Sequence, residues 1–197
     1  TIVALFLIFM VSSLSSCNQP KKDSSKETIQ TQEIQLSIEE LNSELERSAL
    51  EGPIEKVSEL LDKGAQVNHV NENGSSALML AAYNGNTKIV ALLIKHGGMV
   101  NMLDVNRRSA LIYASSGPFV ETVELLLKNG ADVNAVDNVE NFTALMFAAA
   151  EGQTEVVKLL LEHGADKTLK DIDGDDAYKF ATSNGHNETA DFIKNHQ

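Results

Sequence analysis

The sequence is short of several residues on which small folds commonly depend. It has one cysteine, three prolines and no tryptophan in 197 residues, and aromatics make up only 5%. A single cysteine excludes an internal disulfide framework and any multi-cysteine zinc site. Positive charge is also scarce, with 16 Lys+Arg against 28 Asp+Glu and a formal net charge of −12. Neutralising a phosphate backbone needs clustered Lys and Arg, so nucleic acid is excluded as the partner. The apolar run Ile2 to Val11 stops at ten residues, whereas a membrane-crossing helix needs about 20. What is present is 43% hydrophobic content with few aromatics, which points to an all-α, Ala- and Leu-rich core rather than a β-sandwich. The length suits one domain plus a tail.

The tail is read from the first residues. Thr1 to Ser16 carries no charge, and its apolar run is followed by Ser12-Ser13-Leu14-Ser15-Ser16-Cys17. An apolar run of this length fits the central region of a secretory signal. The initial Thr and the lack of a positive start suggest that a few residues precede it. Leu14-Ser15-Ser16-Cys17 resembles the bacterial lipobox. That resemblance implies cleavage before Cys17, lipidation of its thiol, and a membrane contact through the acyl chains. Two or more chains anchor stably, where one binds only marginally. Asn18 follows the cysteine, in place of the Asp that retains enterobacterial lipoproteins at the inner membrane, so the expected location is the bacterial cell envelope at the outer membrane. Residues 18–37 are rich in Gln, Ser, Thr and Lys, and Lys21, Lys22 and Lys26 balance Asp23, Glu27 and Glu33. This segment reads as a flexible tether, which leaves the whole −12 to residues 38–197.

Beyond the tether the chain repeats. Gly64, Gly97, Gly130 and Gly164 are spaced 33, 33 and 34, and Ala77, Ala110, Ala144 and Ala177 are spaced 33, 34 and 33. A Leu-rich run precedes each glycine, as in Leu125-Leu126-Leu127. Within a unit the pattern is helix, turn, helix, hairpin. Ser76, Ser109 and Thr143 suit helix N-caps, Asn84-Gly85 and Glu151-Gly152 suit turns, and the periodic glycines suit helix ends where φ is positive. His96 and His163 fall in last turns, where they suit the helix dipole.

Gly130-Ala131-Asp132-Val133-Asn134-Ala135-Val136-Asp137 and Thr143-Ala144-Leu145-Met146-Phe147-Ala148-Ala149-Ala150-Glu151-Gly152 resemble the junction and the start of ankyrin repeats. The resemblance runs over about 155 of the 197 residues. It implies an ankyrin-repeat solenoid of about five units: 38–72, 73–105, 106–138, 139–172 and 173–197, the first and last being polar caps. A tetratricopeptide array has a similar period but lacks the Gly-Ala-Asp-Val-Asn hairpin. The family's Thr-Pro-Leu-His is replaced by Ser76-Ala77-Leu78-Met79, Ser109-Ala110-Leu111-Ile112 and Thr143-Ala144-Leu145-Met146. Ser116-Gly117-Pro118-Phe119 departs from the Asn-Gly type of turn, and one extra residue near Val139-Glu140 should lengthen a hairpin tip.

No catalytic residue is assigned. His69, His96, His163, His186 and His196 show no i, i+4 pair of the zincin type, and there is neither a nucleophile elbow nor a phosphate loop. Asp171-Ile172-Asp173-Gly174-Asp175-Asp176 invites comparison with a calcium loop. Counting from Asp171, however, the twelfth place is Thr182 and the glycine is fourth rather than sixth, so the segment reads as a hairpin turn. No cofactor, metal or small-molecule substrate is expected. The expected function is a non-enzymatic, monomeric interaction scaffold held at a membrane by Cys17, whose partner carries basic patches. In the ankyrin fold such contacts come from hairpin tips and inner helices. Here those positions include Glu72, Asn73, Asn106, Arg108, Glu140, Phe142, Asp173 and Asp175 at the tips, and Tyr83, Asn84, Ser116 and Glu151 on the helices. Tyr83 and Phe142 are aromatic anchors on this reading, and Arg108 is a cation able to meet a carboxylate. Alternatives are an immunity or protective factor for an exported toxin or periplasmic enzyme and, less favoured, a metal-dependent hydrolase using Asp173 or Asp175.

Overall fold

The structure, a computed structural model, describes residues 36–196. The signal segment, the lipobox with Cys17 and most of the tether lie outside the described residues. Among the described residues ten helices form five pairs: α1 (Ile38–Glu51) with α2 (Ile54–Asp62), α3 (Ala77–Tyr83) with α4 (Thr87–Lys95), α5 (Ala110–Ser115) with α6 (Val120–Lys128), α7 (Ala144–Ala150) with α8 (Thr154–Glu162), and α9 (Ala177–Ser183) with α10 (Asn187–Asn195). The odd-numbered helices pack in one row, α1 on α3 through to α9, and the even-numbered helices pack in a second, from α2 to α10. The arrangement is the repeat solenoid expected from the 33-residue period.

Helices of six to nine residues are too short to persist alone, since isolated helices need about 12–15 residues. They exist because each presents an apolar stripe to its neighbours. Leu45, Leu78, Leu111 and Leu145 on the inner row, and Leu60, Leu93, Leu126 and Leu160 on the outer row, are at most 1% exposed. Ala49, Ala82 and Ala149 lie between the inner helices at 0% exposure and let their backbones approach. The N-caps are those read from the sequence. Ser76 Oγ accepts from Met79 N at 3.4 Å, Ser109 Oγ from Ile112 N at 3.3 Å and Thr143 Oγ1 from Met146 N at 3.2 Å. Ser37, read as the last tether residue, instead caps α1 in a reciprocal box with Glu40. Ile38, read as an apolar residue of the first unit, is 40% exposed, whereas Leu41 and Leu45 carry the burial.

The loops between pairs are built on one repeated device. Asn71, Asp104, Asp137 and Asp171 each stand at the base of a tip, closed by a backbone bond from Asn71 N to Ser75 O, Asp104 N to Arg108 O, Asp137 N to Phe142 O and Asp171 N to Asp175 O, all at 3.0–3.1 Å. The pairing is thinner than the hairpins expected from sequence. Among the described residues it amounts to single antiparallel bridges, Val70 with Ser76 and Val136 with Thr143. The third loop spans one residue more, as the extra residue near Val139-Glu140 foretold. Asn141 there takes φ 60°, and Arg107 takes φ 59° at the matching place in the second loop, where the first and fourth loops have glycine.

Candidate functional site

Successive loops are joined tip to tip. Val105 N donates to Asn73 O at 3.1 Å, Asn138 N to Asn106 O at 3.0 Å and Ile172 N to Glu140 O at 3.1 Å. A second row of bonds lies behind the tips. The Asn68 amide donates to Gly97 O at 3.0 Å and accepts from Met99 N at 2.8 Å. Asn101 does the same between Gly130 O and Asp132 N, and Asn134 between Gly164 O and Asp166 N. The hairpin edge is therefore hydrogen-bonded continuously from unit to unit, and it holds whatever side chains project from it at fixed spacing.

The carboxylates under the tips serve the backbone. Asp137, 1% exposed, accepts at Oδ1 from Val139 N, Glu140 N and Phe142 N at 3.0–3.3 Å, and at Oδ2 from Arg108 Nε at 3.2 Å. Asp104 accepts from Asn106 N and Arg108 N at 2.9 and 2.8 Å, and from the Tyr113 hydroxyl at 2.6 Å. Burial, and then the hydrogen bond and charge of Asp104, push the Tyr113 hydroxyl up to about 12. Three or four accepted bonds make a buried carboxylate tolerable, because an unpaired one would lose its hydration with nothing in exchange.

Arg108 and Phe142, offered by the sequence as partner contacts, also make contacts inside the stack. The Arg108 guanidinium is paired to Asp137 of the next loop and lies 5.4 Å from the centre of the Phe147 ring. Phe142 is half-buried, with edge contacts to Phe147 at 5.3 Å and to Phe180 at 4.8 Å between ring centres. Asn84 likewise reaches back, its amide donating to Leu50 O at 2.8 Å, and Ser116 Oγ donates to Tyr113 O at 2.8 Å. Tyr83 remains a free aromatic at 53% exposure, resting edge-on against Tyr113 with ring centres 5.9 Å apart. Glu72, Asn73, Glu151 and Asp173 are exposed, while Asn106, Glu140 and Asp175 are half-buried.

Sequence reading passed over a second row. Leu80, Tyr113, Phe147 and Phe180 occupy one position of four successive inner helices, spaced 33, 34 and 33. The three aromatics of that row are packed, half-buried, against the core. The same periodicity that identified the alanines would have found them.

The acidic segment Asp171–Asp176 is a turn. Asp171 Oδ1 accepts from Asp173 N at 3.0 Å and Asp175 N at 2.7 Å, and Asp176 caps α9 through Lys179 N at 2.9 Å. Among the described residues no group of three His, Cys, Asp or Glu could hold a metal ion, and no helix is long and apolar enough to cross a membrane. His163 Nδ1 lies 2.9 Å from Leu159 O at the end of α8, in keeping with a capping role.

No curated protein matches the chain. A family model described as "Ankyrin repeats (3 copies)" matches residues 45–137 and again 121–197. The two matched stretches run from within α1 to the end of α10, and their overlap falls within the continuous stack. By this match and by its helical architecture, the chain belongs to the ankyrin-repeat family.

Proposed function

We propose that this protein is a non-enzymatic scaffold of a bacterial envelope, monomeric and lipid-anchored through Cys17, that holds a protein partner on the exposed face of its repeats. Ankyrin repeats are generally protein–protein interaction modules and typically have no enzymatic activity. The observation that carries the reading is the division of labour among polar groups. Asp104, Asp137 and Asp171 are occupied by the backbone and by neighbouring side chains, whereas Glu72, Asn73, Tyr83, Glu151 and Asp173 project from a fixed frame into solvent. Groups held in place without an internal role suit recognition, since little conformational freedom is lost on binding. A lipid at Cys17 would raise the effective concentration of the scaffold at the membrane.

The test is crosslinking mass spectrometry on intact cells expressing the full chain or its Cys17→Ser variant. The expected result is one dominant partner crosslinked through the tip loops, together with loss of the chain from the membrane fraction in the variant. Equal membrane recovery of Cys17→Ser would overturn the anchor. Absence of any reproducible crosslink outside the chain would overturn the scaffold.

A further inference from the structure

The hairpin edge carries an exposed apolar row at tip positions that the sequence already offers for partner contacts. Val105, Val139 and Ile172 sit at the tips of the second, third and fourth loops and are 60%, 48% and 59% exposed. Leu103 and Val70, at the bases of the second and first tips, are each 38% exposed. These side chains fill no internal space, yet the backbone beneath them is fixed by the tip-to-tip bonds of Val105 to Asn73, Asn138 to Asn106 and Ile172 to Glu140. Exposed apolar groups that fall in a row and are rimmed by polar ones mark interaction surfaces.

The rim is acidic. Glu72, Glu140, Asp173 and Asp175 stand among the aliphatic tips, and none of their carboxylates is in an ion pair or a side-chain hydrogen bond among the described residues. The other acidic groups of this edge, Asp104, Asp137 and Asp171, are bonded to backbone N–H groups beneath the tips. Of the two cations in the second loop, Arg108 is paired with Asp137, which leaves exposed Arg107, with exposed Lys170 at the base of the fourth tip, against four unpaired carboxylates. The edge thus offers apolar contacts and uncompensated negative charge together.

We propose that the hairpin edge binds an extended segment of a partner protein that carries aliphatic side chains interspersed with Lys or Arg. Aliphatic groups of the segment pack on Val105, Val139 and Ile172 of successive units, and its cations meet Glu72, Glu140, Asp173 and Asp175. An extended chain suits a site that advances one tip per unit, because its alternate side chains lie on one face. The inference rests on the scaffold reading and narrows it by placing the footprint on the tips, away from Tyr83 and the inner helices.

The experiment selects a random-peptide display library on the immobilised full chain. It then measures the affinity of the leading synthetic peptide by calorimetry for wild type, for the triple variant Val105→Ser, Val139→Ser and Ile172→Ser, and for Tyr83→Ala, with each fold checked by circular dichroism. Expected are peptides enriched in Val, Ile or Leu with Lys or Arg, bound at least tenfold more weakly by the triple variant and equally by Tyr83→Ala. A fourth protein bearing Glu72→Gln, Glu140→Gln, Asp173→Asn and Asp175→Asn should lose most of the salt dependence of binding. Peptides that bind the triple variant normally and are lost on Tyr83→Ala would overturn this inference and leave the scaffold reading standing. Selected peptides that are acidic or uncharged would overturn the charge match. A library yielding nothing above the blank surface would overturn both.

Discussion

The two edges of the stack are held together differently. Along the hairpin edge every step from loop to loop repeats the same bonds: the Asn68, Asn101 and Asn134 amides behind, and the tip carbonyls in front. Along the opposite edge, where the inner helix turns into the outer one, the steps are uneven. Asn84 and Asn86 donate to Ala49 O and Leu50 O at the end of α1, and Asn184 and His186 donate to Ala150 O at the end of α7. At the two middle steps these positions are held by Gly117 and Phe119, then by Glu151 and Gln153, and among the described residues none of them makes such a bond. Phe119 instead lies over Gly85, where a Cβ would collide with its ring. Between those steps sits Ser115 Oγ, buried and without a hydrogen-bond partner. The outer helices follow a different pattern. Thr87 meets Thr122 across the second step and Thr154 meets Thr189 across the fourth, each at 2.7 Å. The contrast teaches that a regular period does not distribute cohesion evenly: one edge is a continuous ladder, and the other is fastened by different groups at different steps, with inner-helix carbonyls bonded only at its two ends.

The largest blow to the ladder is expected from Asp137→Ala. It strips three N–H groups of their acceptor and leaves the Arg108 guanidinium half-buried without its partner, a loss of about 3 kcal/mol or more. Urea unfolding at neutral pH measures it; a loss under 1 kcal/mol would show that the loop holds itself without the carboxylate.

Tyr113→Phe removes a hydroxyl donated to a charged acceptor, and should cost about 1.5–3 kcal/mol. It also tests linkage. A hydroxyl whose acidity is weakened on folding, from 10.0 to about 12, contributes stability that is complete below the unfolded value. That contribution declines as pH rises through the interval between the two values. Wild type should therefore lose stability across that interval faster than Tyr113→Phe, as read from melts at successive alkaline pH values.

On the other edge, Asn86→Ala should cost about 1–2 kcal/mol, because two carbonyls at the end of α1 lose their donor, whereas Gln153→Ala, which removes a half-buried side chain that makes no such bond, should change stability by less than about 0.5 kcal/mol. Equal losses would erase the asymmetry between the ends and the middle. The smallest effect belongs to Arg107→Gly. A left-handed backbone is unfavourable for arginine, but glycine also gains freedom when unfolded, so the net gain should be about 0.5 kcal/mol, visible as a slightly higher Tm. A lower Tm would mean that the Arg107 side chain contributes contacts of its own.

Much of the fold was legible in the sequence because it is written in local chemistry. Ser76, Ser109 and Thr143 announce helix starts through what a hydroxyl can accept three residues later, and the periodic glycines announce ends through their freedom at positive φ. The added residue at Val139-Glu140 could be placed because the register on both sides was unambiguous. The surface was less legible. Phe142 reads as an exposed aromatic until Phe147 and Phe180, from two different helices, close on it. Arg108 reads as a free cation until Asp137, 29 residues away, is brought beside it. Such pairings depend on how consecutive units stack, and a window of local sequence does not contain them. Val105, Val139 and Ile172 could be placed at tips from the sequence, but that they form one exposed apolar row becomes evident only once the backbone beneath them is fixed.

The way Asp137 holds its loop has a consequence for descent as well as for stability. Its oxygen gathers the N–H groups of Val139, Glu140 and Phe142 although this loop is one residue longer than its neighbours, where Asp104 and Asp171 each gather two. The anchor tolerates a change of loop length because it binds backbone, which every residue supplies. Mutation can therefore rewrite or lengthen what lies beyond the aspartate while the helices behind it keep their register. Selection for a new partner can act on the tips without first having to rebuild the fold.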